Sequence, residues 1–317
     1  MNDWPTDGAD VHHSPRVYEV RHRTTYTYEQ PVSDSYGRGI FAPRTTPTQR
    51  ILAHDVDTAP TPHVLTEHTD FFGNRSHYLE IRTPHTTLEV VKRSVVHVQW
   101  PTVEVAELDE WTVGSAAYHL AQATDPVERT TYALPSQLVD VGPALTEYAD
   151  AILTRDRPLG QALVALHRGI HADFRYAKGV TTVKTTLPEL LDSRAGVCQD
   201  FAHLAVGCFR SVGMPARYVS GYIETRPPPG QEKLEGSDAT HAWASVLVPG
   251  PNGGRWVDLD PTNDQFADSR YIVTAWGRDY RDVAPLRGVV FTQGRTSTLK
   301  VAVDVSRQPD PAAEPAR

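Results

Sequence analysis

The chain has 317 residues, which at roughly 100–200 residues per domain allows about two domains. Lys and Arg total 31 against 39 Asp and Glu, a formal net charge of -8, so there is no electrostatic case for a nucleic-acid partner. A hydrophobic content of 39% excludes global disorder, and no apolar run approaches the roughly 18 residues of a membrane helix.

The only cysteines are Cys198 and Cys208, which excludes a disulfide scaffold and a Cys-built zinc site. The opening MNDWPTDGADVHHSPR lacks a basic stretch followed by an apolar one. No secretory signal is predicted, and a cytoplasmic protein is expected.

Residues 1–15 are polar and are expected to be disordered. From Val17 the chain turns rich in β-branched and aromatic residues, with alternation at Tyr18/Val20 and Tyr26/Tyr28. Segments 50–58, 76–82 and 87–98 read the same way, and Phe72-Gly73-Asn74 reads as a turn. These features predict an all-β domain over 16–100, expected as a sandwich. Residues 101–142, broken by Pro101, Pro126 and Pro135, are expected to be a linker that packs against both halves.

Helical periodicity then begins. Pro143 opens one helix, with Leu145, Tyr148, Ala149 and Ile152 on one face. A second runs from about Gly160 to Phe174, and a short one is expected near 187–192. The clearest starts at Cys198, where Phe201, Leu204, Ala205, Cys208, Phe209 and Val212 form an apolar stripe. Gly213 and Pro215 stop it. Strands are predicted at 216–223, 241–248 and 255–259. The Pro-rich stretch 226–238 ends before His241 and is expected to border a site, and 306–317 reads as a disordered tail.

Cys198 follows Gly196-Val197 and opens an amphipathic helix. A thiol there sits near unpaired N–H groups and the positive end of the helix dipole. Both favour thiolate, the nucleophilic form, and the same N–H groups can stabilise an oxyanion. Cys208 lies on the apolar stripe and is expected to be core. Ten residues on one helix put the two sulfurs about 15 Å apart, too far for a redox pair. A nucleophilic thiol needs a base and a group to orient it. His241, at a strand start beside Trp243, suits the base. The carboxylate is expected from Trp256-Val257-Asp258-Leu259-Asp260-Pro261. Asp258 and Asp260 share one strand parity, so alternation leaves both open. The unused one is expected to be an ordinary solvated aspartate.

Ser193-Arg194-Ala195-Gly196-Val197-Cys198-Gln199-Asp200-Phe201-Ala202-His203, Gly213-Met214-Pro215-Ala216-Arg217-Tyr218-Val219-Ser220-Gly221-Tyr222, His241-Ala242-Trp243 and Asp260-Pro261-Thr262-Asn263 together resemble the bacterial transglutaminase-like proteins of the papain-like superfamily. The segment with Asp70-Phe71-Phe72-Gly73-Asn74 resembles their N-terminal domain. The resemblance implies an α+β fold: an all-β domain at 16–100, then a catalytic core of helices packed on an antiparallel sheet at 143–305. It places the family's thiol on Cys198, its histidine on His241 and its aspartate on Asp260. Asp200 and His203 match the family without a role, and helical spacing predicts that His203 points away from Cys198.

The expected activity is thiol-dependent acyl transfer on protein or peptide amides, through a thioester. The acceptor is open: water makes a peptidase or amidase, the leading reading, and an amine makes a transglutaminase. A non-catalytic scaffold that keeps the fold is the rival. Tyr176, Tyr218, Tyr222 and Trp243 are expected near the site. No cofactor is expected. Calcium regulates some animal transglutaminases, but no acidic loop of Ca²⁺-binding pattern is visible. His12-His13 has no further ligand nearby in sequence, so no metal is expected.

Overall fold

The structure, a computed structural model, describes residues 10–225, 238 and 240–309. A short helix α1 (Asp10–His13) precedes strands β1 (Arg16–Ile40), β2 (Gln49–Ala59), β3 (Val64–Thr69), β4 (Arg75–Ile81) and β5 (His85–Val98). These strands lie in the order β2-β5-β1-β4-β3, with antiparallel pairing. The first half of β1 pairs with β5 and its second half with β4. Period-two patterning sets the inner face of β1, where Tyr18, Val20, His22 and Thr24 are buried. The predicted turn at Phe72-Gly73-Asn74 is present. Asp70 Oδ1 accepts the N–H groups of Phe72 (2.9 Å) and Asn74 (2.8 Å), and Gly73 takes φ +77°.

The expected linker at 101–142 is instead largely helical. It forms α2 (Val105–Leu108), α3 (Val113–Ala123) and α4 (Pro126–Ala133). The prolines bound helices rather than break them. Pro126 stands in the first turn of α4, behind Asp125, whose carboxylate accepts the N–H groups of Val127 and Glu128. Leu108, Val113, Ala116 and Leu120 sit in one core with the helices that follow, α5 (Pro143–Ile152), α6 (Leu159–Asp173), α7 (Leu187–Ser193) and α8 (Cys198–Ser211). Gly213, at φ +81°, ends α8 as predicted.

Short strands β6 (Arg175–Tyr176) and β7 (Ala195–Gly196) pair in parallel just ahead of α8. A second sheet contains β8 (Ala216–Ile223), β9 (Thr240–Val248), β10 (Arg255–Asp260), β11 (Gln265–Phe266) and β12 (Tyr271–Gly277), in the order β11-β10-β9-β8-β12. One face of it carries α8. On the other, Trp243, Tyr271 and Ile272 pack against Tyr18, Val20 and Val96 of the first sheet. The N-terminal part is therefore a single sheet covered by the second one, not a self-contained sandwich.

The C-terminal stretch also departs from expectation. Strands β13 (Arg287–Thr292) and β14 (Ser297–Gln308) return to the N-terminal sheet and pair with β1. Part of the stretch assigned to a catalytic domain at 143–305 thus belongs to the other sheet. The first residues of the expected 306–317 tail are strand. Within the expected disordered 1–15, α1 is tied down, since the His12 carbonyl accepts the Ser269 N–H (2.9 Å). Residues 1–9 and 310–317 lie outside the described residues.

Candidate active site

Cys198 is the first residue of α8. The backbone just before it is extended at Val197, and the Asp200 carboxylate reaches back to accept the Val197 N–H (2.8 Å) and the Thr181 hydroxyl (2.7 Å). Asp200 thus caps the helix and anchors the preceding loop. Gly196 is required by close approach: a Cβ there would lie 2.8 Å from Asp200 Oδ2 and 2.9 Å from Leu190 Cδ1. The N–H groups of the first turn, at Cys198 and Gln199, have no partner within the helix.

The sheet beneath α8 supplies the other two groups. His241 is the second residue of β9 and Asp260 the last of β10. His241 Nε2 and Asp260 Oδ2 are 2.6 Å apart, at positions 8% and 0% exposed. The Cys198 thiol lies within electrostatic reach of the same imidazole and favours its charged form. Three residues far apart in sequence thus meet in one chain of contacts, thiol to imidazole to carboxylate.

Asp260 is fully engaged. Its Oδ2 also accepts from Asn263 Nδ2 (2.6 Å) and the Tyr271 hydroxyl (2.7 Å), and its Oδ1 accepts the Thr262 N–H (2.8 Å). Burial works against its charge, yet the imidazole and these donors prevail and hold its pKa below the ordinary value. The balance at His241 is similar. Burial opposes the imidazolium, but the Asp260 charge and hydrogen bond, aided by Cys198, raise its pKa to about 10. The ring is walled by Trp243 and Tyr271, with centroids 6.2 and 6.1 Å away.

Asp258 has the other role that strand parity left open, and it is not solvated. It is buried, accepts the Trp243 Nε1–H (2.8 Å), and is hydrogen-bonded by the Ser245 hydroxyl. Its charge faces Arg217, whose guanidinium stacks on Trp256 and Trp276. Asp258 therefore fixes the tryptophan that walls the site. Cys208 is fully buried in the apolar core, which pushes its thiol pKa up.

The remaining sequence candidates divide. Tyr218 is buried within electrostatic reach of Cys198, and Tyr176, 48% exposed, lies within reach of both Cys198 and Asp260. Tyr222 instead faces the N-terminal sheet, bonding His22 Nδ1 through its hydroxyl (2.8 Å). His203 packs its ring 4.7 Å from that of Tyr218 and accepts the Tyr280 N–H on Nε2 (3.1 Å). The stretch 226–238 falls almost wholly outside the described residues. Asp238 is the exception, and its N–H donates to the Val303 carbonyl (3.0 Å).

The chain matches two family models, the bacterial transglutaminase-like N-terminal region over residues 18–97 and the transglutaminase-like superfamily core over 146–261. It is 43% identical over 293 residues to an uncharacterized protein of Mycobacterium tuberculosis, covering 91% of this chain and 92% of that protein. An uncharacterized protein of Mycobacterium leprae is 31% identical, with coverages of 91% and 98%. This chain belongs to the transglutaminase-like superfamily. The crystal structure of a Cytophaga hutchinsonii protein provisionally named a cysteine protease shares the fold, with a TM-score of 0.74 at 21% identity over 94% of this chain and 92% of that one.

Against the family motifs, the structure adds residues that the sequence reading gave no role. Asn263 stood in the quoted Asp-Pro-Thr-Asn stretch, and its amide faces both Asp260 and, at 3.4 Å, His241 Nε2. Tyr271 had no local signal, because it reaches Asp260 from a strand on the other edge of the sheet. The turn after β10 is held from behind by α6, where His167 Nδ1 bonds Asp264 Oδ1 (2.7 Å) and His171 Nδ1 donates to the Thr262 carbonyl (3.0 Å). Among the described residues no group of three or more His, Cys, Asp or Glu is placed to hold a metal ion, and no helix is long and apolar enough to cross a membrane.

Proposed function

We propose that this transglutaminase-like protein is a thiol-dependent acyl-transfer enzyme acting on protein or peptide amides, with water as its main acceptor. The observation that carries this reading is the buried His241 imidazole held between the Cys198 thiol and the fully bonded Asp260 carboxylate. Cys198, as thiolate, attacks the amide carbonyl carbon. The C–N bond then breaks as the His241 imidazolium gives its proton to the leaving amine. A thioester on Cys198 remains. Neutral His241 next takes a proton from water, which attacks the thioester carbonyl and releases a carboxylic acid and the thiol. Asp260 keeps the imidazole oriented and balances its charge through both steps. The Cys198 backbone N–H at the start of α8 donates to the developing oxyanion. The partly exposed thiol and the exposed Tyr176 beside it leave the thioester open to water, which favours hydrolysis over amine transfer.

The test is intact-mass analysis of a glutamine-containing protein incubated with the enzyme, with and without a labelled primary amine, beside a Cys198→Ala control. Cleavage or a one-dalton gain that the control lacks supports the hydrolase. Amine incorporation that the control lacks replaces it with the transglutaminase reading. If neither appears and Cys198 reacts with iodoacetamide no faster than an ordinary thiol, the enzymatic reading is wrong.

A further inference from the structure

The inner face of β1 does not end where the second sheet stops covering it. Tyr18, Val20, His22 and Thr24 are buried there, and the same face continues to Tyr26 and Tyr28. At that overhang the face lines an open pocket of about 200 Å³. Tyr26 and Tyr28 stack at 6.3 Å with their planes 7° apart, and Leu79, Leu88, Leu286 and Val290 complete its apolar wall. A cavity of about 150 Å³ with an apolar lining accommodates a benzene ring, so this pocket fits one aromatic or branched aliphatic side chain. It is too small for a folded element.

The pocket's position ties it to the thiol. Ile40 of β1 and Val283 pack in one cluster with Ala202, Tyr218, Tyr280 and Cys198. Gly37, which lines the pocket, stands three residues from Ile40, about 10 Å along β1, and Leu286, also in the lining, stands three residues from Val283. Tyr26 lies within electrostatic reach of Tyr280, and Tyr280 packs edge-on to Tyr218 at 6.4 Å. The pocket thus borders the cluster that packs against the thiol.

We infer that this pocket receives one bulky apolar side chain of the peptide whose carbonyl Cys198 attacks, so that the N-terminal sheet and the returning C-terminal strands set substrate specificity. The inference rests on the proposed acyl-transfer reading. It explains why segment 286–297 matters although it lies outside the catalytic core: its return to β1 builds one side of the pocket.

The probes are acetylated tripeptidyl chloromethyl ketones with Ala, Leu or Phe at each position in turn, and the readout is the rate of single alkylation at Cys198 by intact mass. At one position Leu or Phe is expected to exceed Ala by about tenfold or more, the discrimination an apolar pocket supplies. Ser297→Phe, at the exposed pocket edge, is expected to abolish that preference. Leu286→Ala is expected to move the preference to a larger side chain. Equal rates for all peptides, or a preference that both variants leave intact, would overturn the pocket's role while the acyl-transfer reading stood. Absence of any labelling would instead count against that reading. Binding of N-acetylphenylalanine methylamide to the Cys198→Ala protein, followed by NMR, then decides the pocket by itself. Binding lost in the added Ser297→Phe variant supports it, and no binding overturns it.

Discussion

Asp260→Asn isolates the charge that holds His241. An imidazole raised from 6.5 to about 10 prefers its charged form by about 5 kcal/mol more than in water, at 1.36 kcal/mol per tenfold step. Because burial opposes that preference, the Asp260 charge and hydrogen bond must exceed it. Asparagine removes the charge and keeps one oxygen, which can accept the Thr262 N–H at the Oδ1 position while its amide nitrogen replaces Oδ2. Burial then dominates, and the ring is neutral at pH 7. The Cys198 thiol then loses the neighbouring cation that favours its nucleophilic thiolate form, so iodoacetamide labelling at pH 7 should fall. The native protein should label faster than the variant wherever its His241 is charged, up to a pH of about 10.

Stability should follow the same groups. The raised His241 stabilises fully below 6.5, and this is lost as pH rises through about 10. The lowered Asp260 stabilises above its ordinary 3.8 and fails as pH falls below that. The melting-temperature deficit of the variant should therefore be largest between these two limits and shrink toward pH 10. Labelling profiles of the two proteins that superimpose would refute the reasoning.

Two further outcomes test the surrounding structure. Lys92 is buried, with the Ile40 carbonyl 3.4 Å from its Nζ, and burial drives its pKa down to about 7. A lowered amine means that the unfolded chain binds more protons between pH 7 and 10.5, so its contribution to stability rises with pH across that window. Lys92→Met should flatten this slope and stabilise the protein at pH 7 by about 1–4 kcal/mol in chemical denaturation, as when buried charge gives way to apolar packing. Gly221→Ala tests close packing behind His241: its Cβ would lie 2.0 Å from the Ile272 carbonyl and 2.7 Å from the Trp243 ring. A loss of about 1–3 kcal/mol is expected from thermal melts, and an unchanged melting temperature would show the sheet to be looser than described.

Much of the region around Cys198 and His241 is readable from local pattern. The apolar stripe from Phe201 to Val212 and the stop at Gly213 define α8 within a residue, because helix period and a left-handed glycine are both local. Strands β8, β9 and β10 are equally legible, since fully buried strands read as short apolar runs between turns. The prolines of 101–142 misled because proline at a helix start and proline as a breaker look alike until the partner surface is known. The single N-terminal sheet and the return of β13 and β14 were invisible because their pairing with β1 spans about 250 residues or more.

The sequence by itself determined that a thiol opens an amphipathic helix, that a histidine starts one strand and that two acids end the next. Local spacing and helix-end chemistry are enough for that. Strand spacing left the acid open, the family resemblance placed it on Asp260, and the tertiary structure gives the physical reason. Asp258 and Asp260 share a face, and only the neighbours across that face, Trp243 and Ser245 for one and His241 and Tyr271 for the other, separate their roles. Tertiary structure decided that the N-terminal sheet backs the site, because burial between two sheets depends on surfaces brought together from both ends of the chain.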